Sequence, residues 1–410
     1  MKQRIAHSFL LLTSCLLFSA YSQCAKAQVW DVVATDSVRI DSAEVGTLRV
    51  GADALGFFQN NEYSSDLMKG YTLPGAWLRP QFSYTPLPQV HIVAGAHLMF
   101  YDGANRYPNY AYHDIATWKG HQYQHGVHAL PFLRLQAQLR NFTIIVGDIY
   151  GAQNHQLLLP MFNPEQALSA DPEMGFQFLL DRKHIHLDTW INWQSYIFDL
   201  DSHQEAFTVG INSTLRWGNS DRLLWEVPLQ VILQHRGGEQ DTTATGVQTV
   251  ANGAAGVRLT HRYTKNHLFT SLRAEANVLG SLQQHGHLWP FRTGFAFHTA
   301  LRAQVRPGVG VEAGYFGAPR QYANLFGLPL FGTISLKHQG VTFHGVHTPY
   351  ASLSYVHCFT PDYRIGAQFN IYTPCSSNAS NSCLFDFGIY LRVSPDFLLW
   401  KKKPADNISH

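Results

Sequence analysis

The chain has 410 residues, of which 14% are charged and 13% aromatic, with a formal net charge of +2. Ordinary soluble domains carry about 25% charged residues, so this composition suits a surface that faces lipid in part. The near-neutral balance argues against nucleic acid as a partner, which a strongly basic surface would favour.

Lys2 and Arg4 precede a mostly apolar run from Ser8 to Ala20, and Ala25-Lys26-Ala27 then offers a small-x-small cleavage site. This is the pattern of an export signal, so residues 1–27 are expected to be removed and 28–46 to form a periplasmic N-terminal segment. Leu12-Thr13-Ser14-Cys15 formally matches a lipobox, but it would leave Leu16-Leu17-Phe18 after the cysteine, where polar residues are expected. Beyond Ala20 no apolar run approaches the ~20 residues of a membrane helix. A mature chain that spans a membrane must do so with strands.

Apolar–polar alternation recurs through the chain, while helical periodicity is nearly absent. It predicts strands at 47–58, 77–85, 90–101, 130–140, 142–150, 174–181, 185–198, 205–217, 222–234, 254–264, 267–280, 291–305, 309–316, 349–358, 363–373 and 384–393. In 291–305, for example, Phe295, Phe297 and Leu301 share one face and Arg292, His298 and Arg302 the other. Alternate links are tight, such as Asn141 and Arg306-Pro307-Gly308, and the others are long. Trp217 and Trp225 flank one tight link on the apolar face, where a membrane interface should lie. With no linker or compositional break, residues 47–393 read as one domain, followed by a C-terminal tail at 394–410.

The signal, the alternating strands and the sorting of links resemble porin-like outer-membrane β-barrels of Gram-negative bacteria over essentially the whole mature chain. The fold expected is all-β, a transmembrane antiparallel up-and-down barrel of about 16 strands, with 14 or 18 also compatible with these boundaries. The resemblance implies tight turns on the periplasmic side. Such barrels usually end on an aromatic strand residue, and this chain continues past Val393. Either a tail follows the closing strand or that strand ends near Trp400.

The inferred lumen face carries Arg49, Arg79, Arg134, Arg216, Arg258, Arg262, Arg273, Arg292, Arg302, Arg364 and Arg392, against fewer acids that include Glu226, Glu275 and Glu312. Guanidinium groups bind carboxylate and phosphate at two points, and Arg rings bias pores toward anions. The competing reading is that these arginines pair with the acids and stiffen the wall. In the third long loop, Asn163-Pro164-Glu165 is a helix-start signature. By resemblance to porins this loop, with Asn163, Glu165, Asp171 and Glu173, is the candidate constriction, and a surface helix is the alternative.

Cys375 and Cys383 bracket a polar loop in an oxidising compartment and are expected to form a disulfide, which would leave Cys358 a lone thiol. Histidines cluster in loops, among them His113, His121, His125 and His128, without a recognised ligand pattern, so no metal or cofactor is assigned. Loop aromatics such as Tyr107 and Trp118 are read as closing the barrel mouth or stacking on sugars. There is no Gly-x-Ser-x-Gly, no His-Glu-x-x-His and no phosphate loop, and His186 with Asp188 on one strand face is the nearest acid–base group. The chain is therefore read as a non-enzymatic porin-like channel for small hydrophilic solutes with a weak anion preference. Its partners would be outer-membrane lipid and those solutes, with a homo-oligomer left open. The alternatives are a loop-plugged barrel that binds a surface glycan or assembles envelope components, and an outer-membrane lipid hydrolase.

Overall fold

A computed structural model describes residues 29–402 apart from 35–38, 103–124, 199–202, 220, 239–245, 264–267, 306–307, 339 and 379–381. After a short helix α1 (Val29–Val33) come β1 (Thr47–Ser64), β2 (Lys69–Leu87), β3 (Val90–Asp102), β4 (His125–Leu139) and β5 (Phe142–Asp148). A helix α2 (Gln166–Ser169) interrupts the next link, and then β6 (Met174–Arg182), β7 (Ile185–Ser195), β8 (Ala206–Asn219), β9 (Leu223–Arg236), β10 (Gln248–Arg262) and β11 (Phe269–His285) follow. The remainder is β12 (Thr293–Val305), β13 (Val309–Ala318), β14 (Val346–Thr360), β15 (Tyr363–Tyr372), β16 (Leu384–Val393) and β17 (Asp396–Lys401).

Each strand pairs antiparallel with its neighbours in chain order, and β1 closes the sheet by pairing with β2 on one side and with β16 and β17 on the other. β16 and β17 form a single stave. Ala54 to Glu62 of β1 face β16, Thr47 to Gly51 face β17, and Pro395 carries the ladder across the break by accepting from Ala52 N–H at 3.1 Å. The result is a closed barrel of 16 strands.

The outer wall is apolar. Leu229, Val231, Phe295, Leu301, Phe369 and Ile389 all stand exposed on it, a band that water would not tolerate and lipid requires. Trp217 and Trp225 pair directly across β8 and β9, both exposed, and on the opposite rim Trp193 stacks on Tyr196 at 5.6 Å. Aromatics at both rims mark the two interfaces. The chain is an outer-membrane β-barrel.

Several strands run past their predicted ends. Residues 59–76, expected as a loop, continue β1 and β2, leaving only Ser65 to Met68 between them. Gln59 and Asn61 face inward there, whereas Asn60 bonds Thr72 and Glu62 on the outer face, so polarity on both sides mimics a loop. The closing strand passes Val393 to Lys401, the second of the two endings the sequence allowed, with Phe397-Leu398-Leu399-Trp400 in its last segment. β5 is shorter than expected, and Ile149 and Tyr150 are buried where the following loop turns into the barrel. Cys375 and Cys383 are free thiols, which corrects the expected disulfide: Cys375 is held in a backbone bridge to His347 while Cys383 lies exposed beside β16. Cys358, expected as the lone thiol, is disulfide-bonded. His113, His121, Tyr107 and Trp118 lie outside the described residues.

Gly147 on β5 has φ of 91°, and a Cβ there would collide with the carbonyl oxygen of Leu133 on β4. Gly147→Ala is expected to destabilise the barrel by more than about 1 kcal/mol, read as a lower urea midpoint with an unchanged slope.

Candidate functional site

The lumen is filled from the long-loop rim by two segments. Residues 149–173 leave β5 and turn inward, burying Leu158, Met161, Phe162 and Leu168. Residues 319–345, between β13 and β14, descend to meet them with Tyr322, Leu325, Phe326, Leu328 and Phe331 buried. Phe162 and Phe326 bridge the two, and Asn163 N–H donates to Phe326 O at 2.6 Å. From the other rim α1 enters the barrel with Val29, Val32 and Val33 buried. Arg392 donates to the Val33 carbonyl at 2.9 Å and to Asp53 at 2.6 Å, so one guanidinium holds the helix end and the closing seam together.

Loop backbone buried in a barrel needs partners for its polar groups, and amides on the inner wall supply them. Gln177 accepts from Tyr150 N–H at 2.9 Å, Asn212 donates to His155 O at 2.8 Å, and Gln230 accepts from Leu158 N–H at 2.9 Å. Asn252 does the same for the second loop, with Ala323 O and Leu325 N–H at 2.7 and 2.8 Å. These residues form an inward polar row in the sequence, yet nothing in it says that loop backbone is what they bind.

His155 lies at the centre. Its Nδ1 is 2.7 Å from Asp188 Oδ2 and its Nε2 3.2 Å from Glu173 Oε2, and its ring stacks on Trp190 at 3.5 Å. Trp190 lies flat because Gly210 directly opposite on β8 has no side chain. Burial alone would lower the imidazole's pKa, but the two carboxylates outweigh it and raise it to about 9. For Glu173, burial pushes the pKa up and His155 pulls it further down, so the carboxylate sits below its ordinary range. The sequence-predicted pair is not formed: Asp188 meets His155 from the loop, and His186 lies 3.6 Å from Asp181 instead.

Among the described residues, two sizeable cavities lie beneath the loops. The first, about 270 Å³, is mainly apolar, walled by Trp77, Leu130, Phe132, Trp190 and Ile232, with Glu173 and His155 on its side. It reaches Met174 and Trp193, at the outer-face ends of β6 and β7. The wall is lowest just there, β5 having seven residues and β6 nine. The second, about 430 Å³, is polar and includes Arg258, Arg273, Arg302, Glu275, Glu312 and Asn163.

The expected constriction residues divide between the cavities. Asn163 and Glu165 border the second, where burial raises the Glu165 carboxyl to about 7, and Asp171 and Glu173 border the first. Helix α2 is shorter than the Asn-Pro-Glu signature suggests, with Asn163 accepting from Glu165 N–H at 3.2 Å just before it.

Most of the predicted lumen arginines point inward and are engaged. Arg216 lies 3.1 Å from Asp181 and 3.7 Å from Glu226, Arg258 2.9 Å from Glu275 and 3.8 Å from Glu226, and Arg302 2.7 Å from Glu312. Arg49 lies 3.2 Å from Glu44, Arg79 stacks 4.4 Å over Trp77, and Arg134 lies 3.9 Å over Tyr150. Arg364 donates to Pro361 O at 3.0 Å. Arg262 and Arg292 are exposed at opposite rims rather than set within the lumen.

The sequence profile of the family described as "Lipid A 3'-O-deacylase-type" matches residues 40–402, the entire barrel. The chain belongs to that family. This corrects the non-enzymatic reading, since the family bears the name of an enzyme; the motifs sought in the sequence were local ones, whereas catalytic groups are brought together by geometry. No curated protein matches the sequence. Among solved structures, OccAB2 of Acinetobacter baumannii is 11% identical with a TM-score of 0.47, covering 87% of this chain and 100% of its own. OccK2 of Pseudomonas aeruginosa, in complex with glucuronate, is 9% identical at 0.45, covering 87% and 99%. An OmpT loop-deletion mutant of Vibrio cholerae is 12% identical at 0.45, covering 84% and 99%.

The His155 clamp gives a signed pH dependence for docking of the first loop in this deacylase-type barrel. A free imidazole titrates near 6.5 and the docked one at about 9. The clamp is thus at full strength below about pH 6.5 and is lost as pH rises through about 9. Protease cleavage within 151–173 is expected to increase between pH 7 and pH 10, and His155→Gln to remove that dependence. His155→Ala strands the buried Asp188 carboxylate, and a loss of about 3–5 kcal/mol is expected in urea unfolding.

Proposed function

We propose that the chain is an outer-membrane ester hydrolase that removes an acyl chain from an acylated saccharide lipid, the chemistry its family is named for. One observation carries this reading: a mainly apolar cavity, with the Glu173–His155–Asp188 cluster on its side, reaches the outer face where the wall is lowest. An acyl chain lying in the outer leaflet could enter there and leave its ester beside Glu173. In the proposed reaction water adds to the ester carbonyl, its proton passes to the Glu173 carboxylate, and that proton then goes to the departing alkoxide. The products are a free fatty acid and the saccharide hydroxyl. His155 holds Glu173 at 3.2 Å and is a positioning residue.

Mass spectrometry of lipid A from cells expressing the chain tests this. A species lighter by one ester-linked acyl chain is expected with the wild type and absent with Glu173→Gln, which keeps the hydrogen-bonding shape but not the base. Unchanged lipid A in wild-type cells with folded protein would refute the reading.

A second reading, passive diffusion of small hydrophilic solutes with a weak anion preference, is favoured by the three arginines lining the polar cavity. It predicts single-channel current in planar bilayers and a reversal potential of anion sign across a salt gradient. Absence of current, or cation selectivity, would count against it.

A further inference from the structure

The second cavity separates its charged groups: Arg258, Arg273 and Arg302 gather at one end with Glu275 and Glu312, while Glu165 and Asp386 line the other. Arg258, Arg273 and Arg302 stand on adjacent strands β10, β11 and β12, all facing inward, and Arg273 is directly opposite Arg302 in the ladder. Like charges facing each other across a sheet are destabilising unless something else pairs them. Arg258 is committed to Glu275 at 2.9 Å and Arg302 to Glu312 at 2.7 Å. Arg273 is not: among the described residues it has no carboxylate within ion-pair distance, and its Nε donates only to the Thr260 hydroxyl at 3.3 Å. A half-buried guanidinium between two others costs free energy that an anion would offset.

The far side of the same cavity differs in kind. There Asp386 accepts from Asn370 at 2.6 Å and from the Tyr63 hydroxyl, and Glu165 accepts from Asn61 at 3.2 Å. These acids are already satisfied by neutral donors, and the surrounding amides and hydroxyls offer both donors and acceptors. At about 430 Å³ the cavity is of small-molecule size. It therefore has one end suited to an anion and another suited to hydroxyl groups.

We propose that this cavity is a binding site for a small polyhydroxy anion, a sugar acid or a sugar phosphate, whose charged group sits on Arg273 between Arg258 and Arg302. The hydroxyls point toward Asn370 and Asp386. The site is separate from the Glu173 cluster and does not depend on ester hydrolysis.

Isothermal titration of the purified, detergent-solubilised barrel tests this, using gluconate, glucose 6-phosphate, glucose and inorganic phosphate. Saturable binding of gluconate or glucose 6-phosphate, at least about tenfold tighter than glucose, is expected; which of the two is tighter distinguishes carboxylate from phosphate. Arg273→Met should weaken the anionic sugar about ten- to a hundredfold, the loss of one charge-assisted bond, and leave glucose unchanged. Arg273→Lys, which keeps the charge without the planar fork, should fall between and covers the case in which the methionine variant does not fold. Heat-modifiable mobility on gels reports folding of each. No saturable binding by either anionic sugar, equal binding by the Arg273 variants, or inorganic phosphate binding as tightly as the sugars would overturn the proposal.

Discussion

At membrane depth an apolar outer wall leaves a barrel one place for its polar side chains, which is the lumen, and there burial away from bulk water favours pairing them. The interior of this protein follows from that constraint. Toward the tight-turn rim the partners are charges of opposite sign, Asp181–Arg216–Glu226–Arg258–Glu275, reaching from β6 across β7 to β8 and then along β9, β10 and β11. Higher up they are the loops themselves, whose backbone groups meet Gln177, Asn212, Gln230 and Asn252. Loop docking is thus a condition of wall stability as much as a decoration of it.

The same constraint explains why chambers remain. Two loops from one rim and a five-residue helix from the other cannot tile a barrel lumen completely, and the gaps take the character of the wall they leave bare. Where Trp77, Leu130, Phe132 and Ile232 face inward the gap is apolar, and where arginine, carboxylate and amide face inward it is polar. Glu173 and His155 sit on the side of the apolar one because the first loop is tied down at both ends, through Ile149 N–H to Glu173 O at 2.9 Å and through His155 to Asp188. Membership of the deacylase-type family is the reason ester hydrolysis is proposed for that chamber.

Alternation along the strands was legible because it is local: Phe295, Phe297 and Leu301 against His298 and Arg302 need no knowledge of the rest of the chain. The same locality made Gln59 to Glu62 look like a loop, since a strand that rises out of lipid is polar on both faces. The lumen arginines could be read from strand parity, but their pairing could not, since Arg302 and Glu312 lie on different strands and meet only through the register of the sheet.

By itself, then, the sequence determined most of the strands, the faces on which they meet lipid, and the closed antiparallel architecture, because period-two patterning and link length are properties of neighbouring residues. The tertiary structure decided what fills the barrel. Whether His155 meets Asp188, whether Arg273 lacks the acid that Arg258 and Arg302 have, and where the apolar gap reaches the outer face all depend on contacts between residues far apart in sequence. No local pattern encodes those contacts, since the groups involved become neighbours only once the barrel has closed and the loops have turned inward.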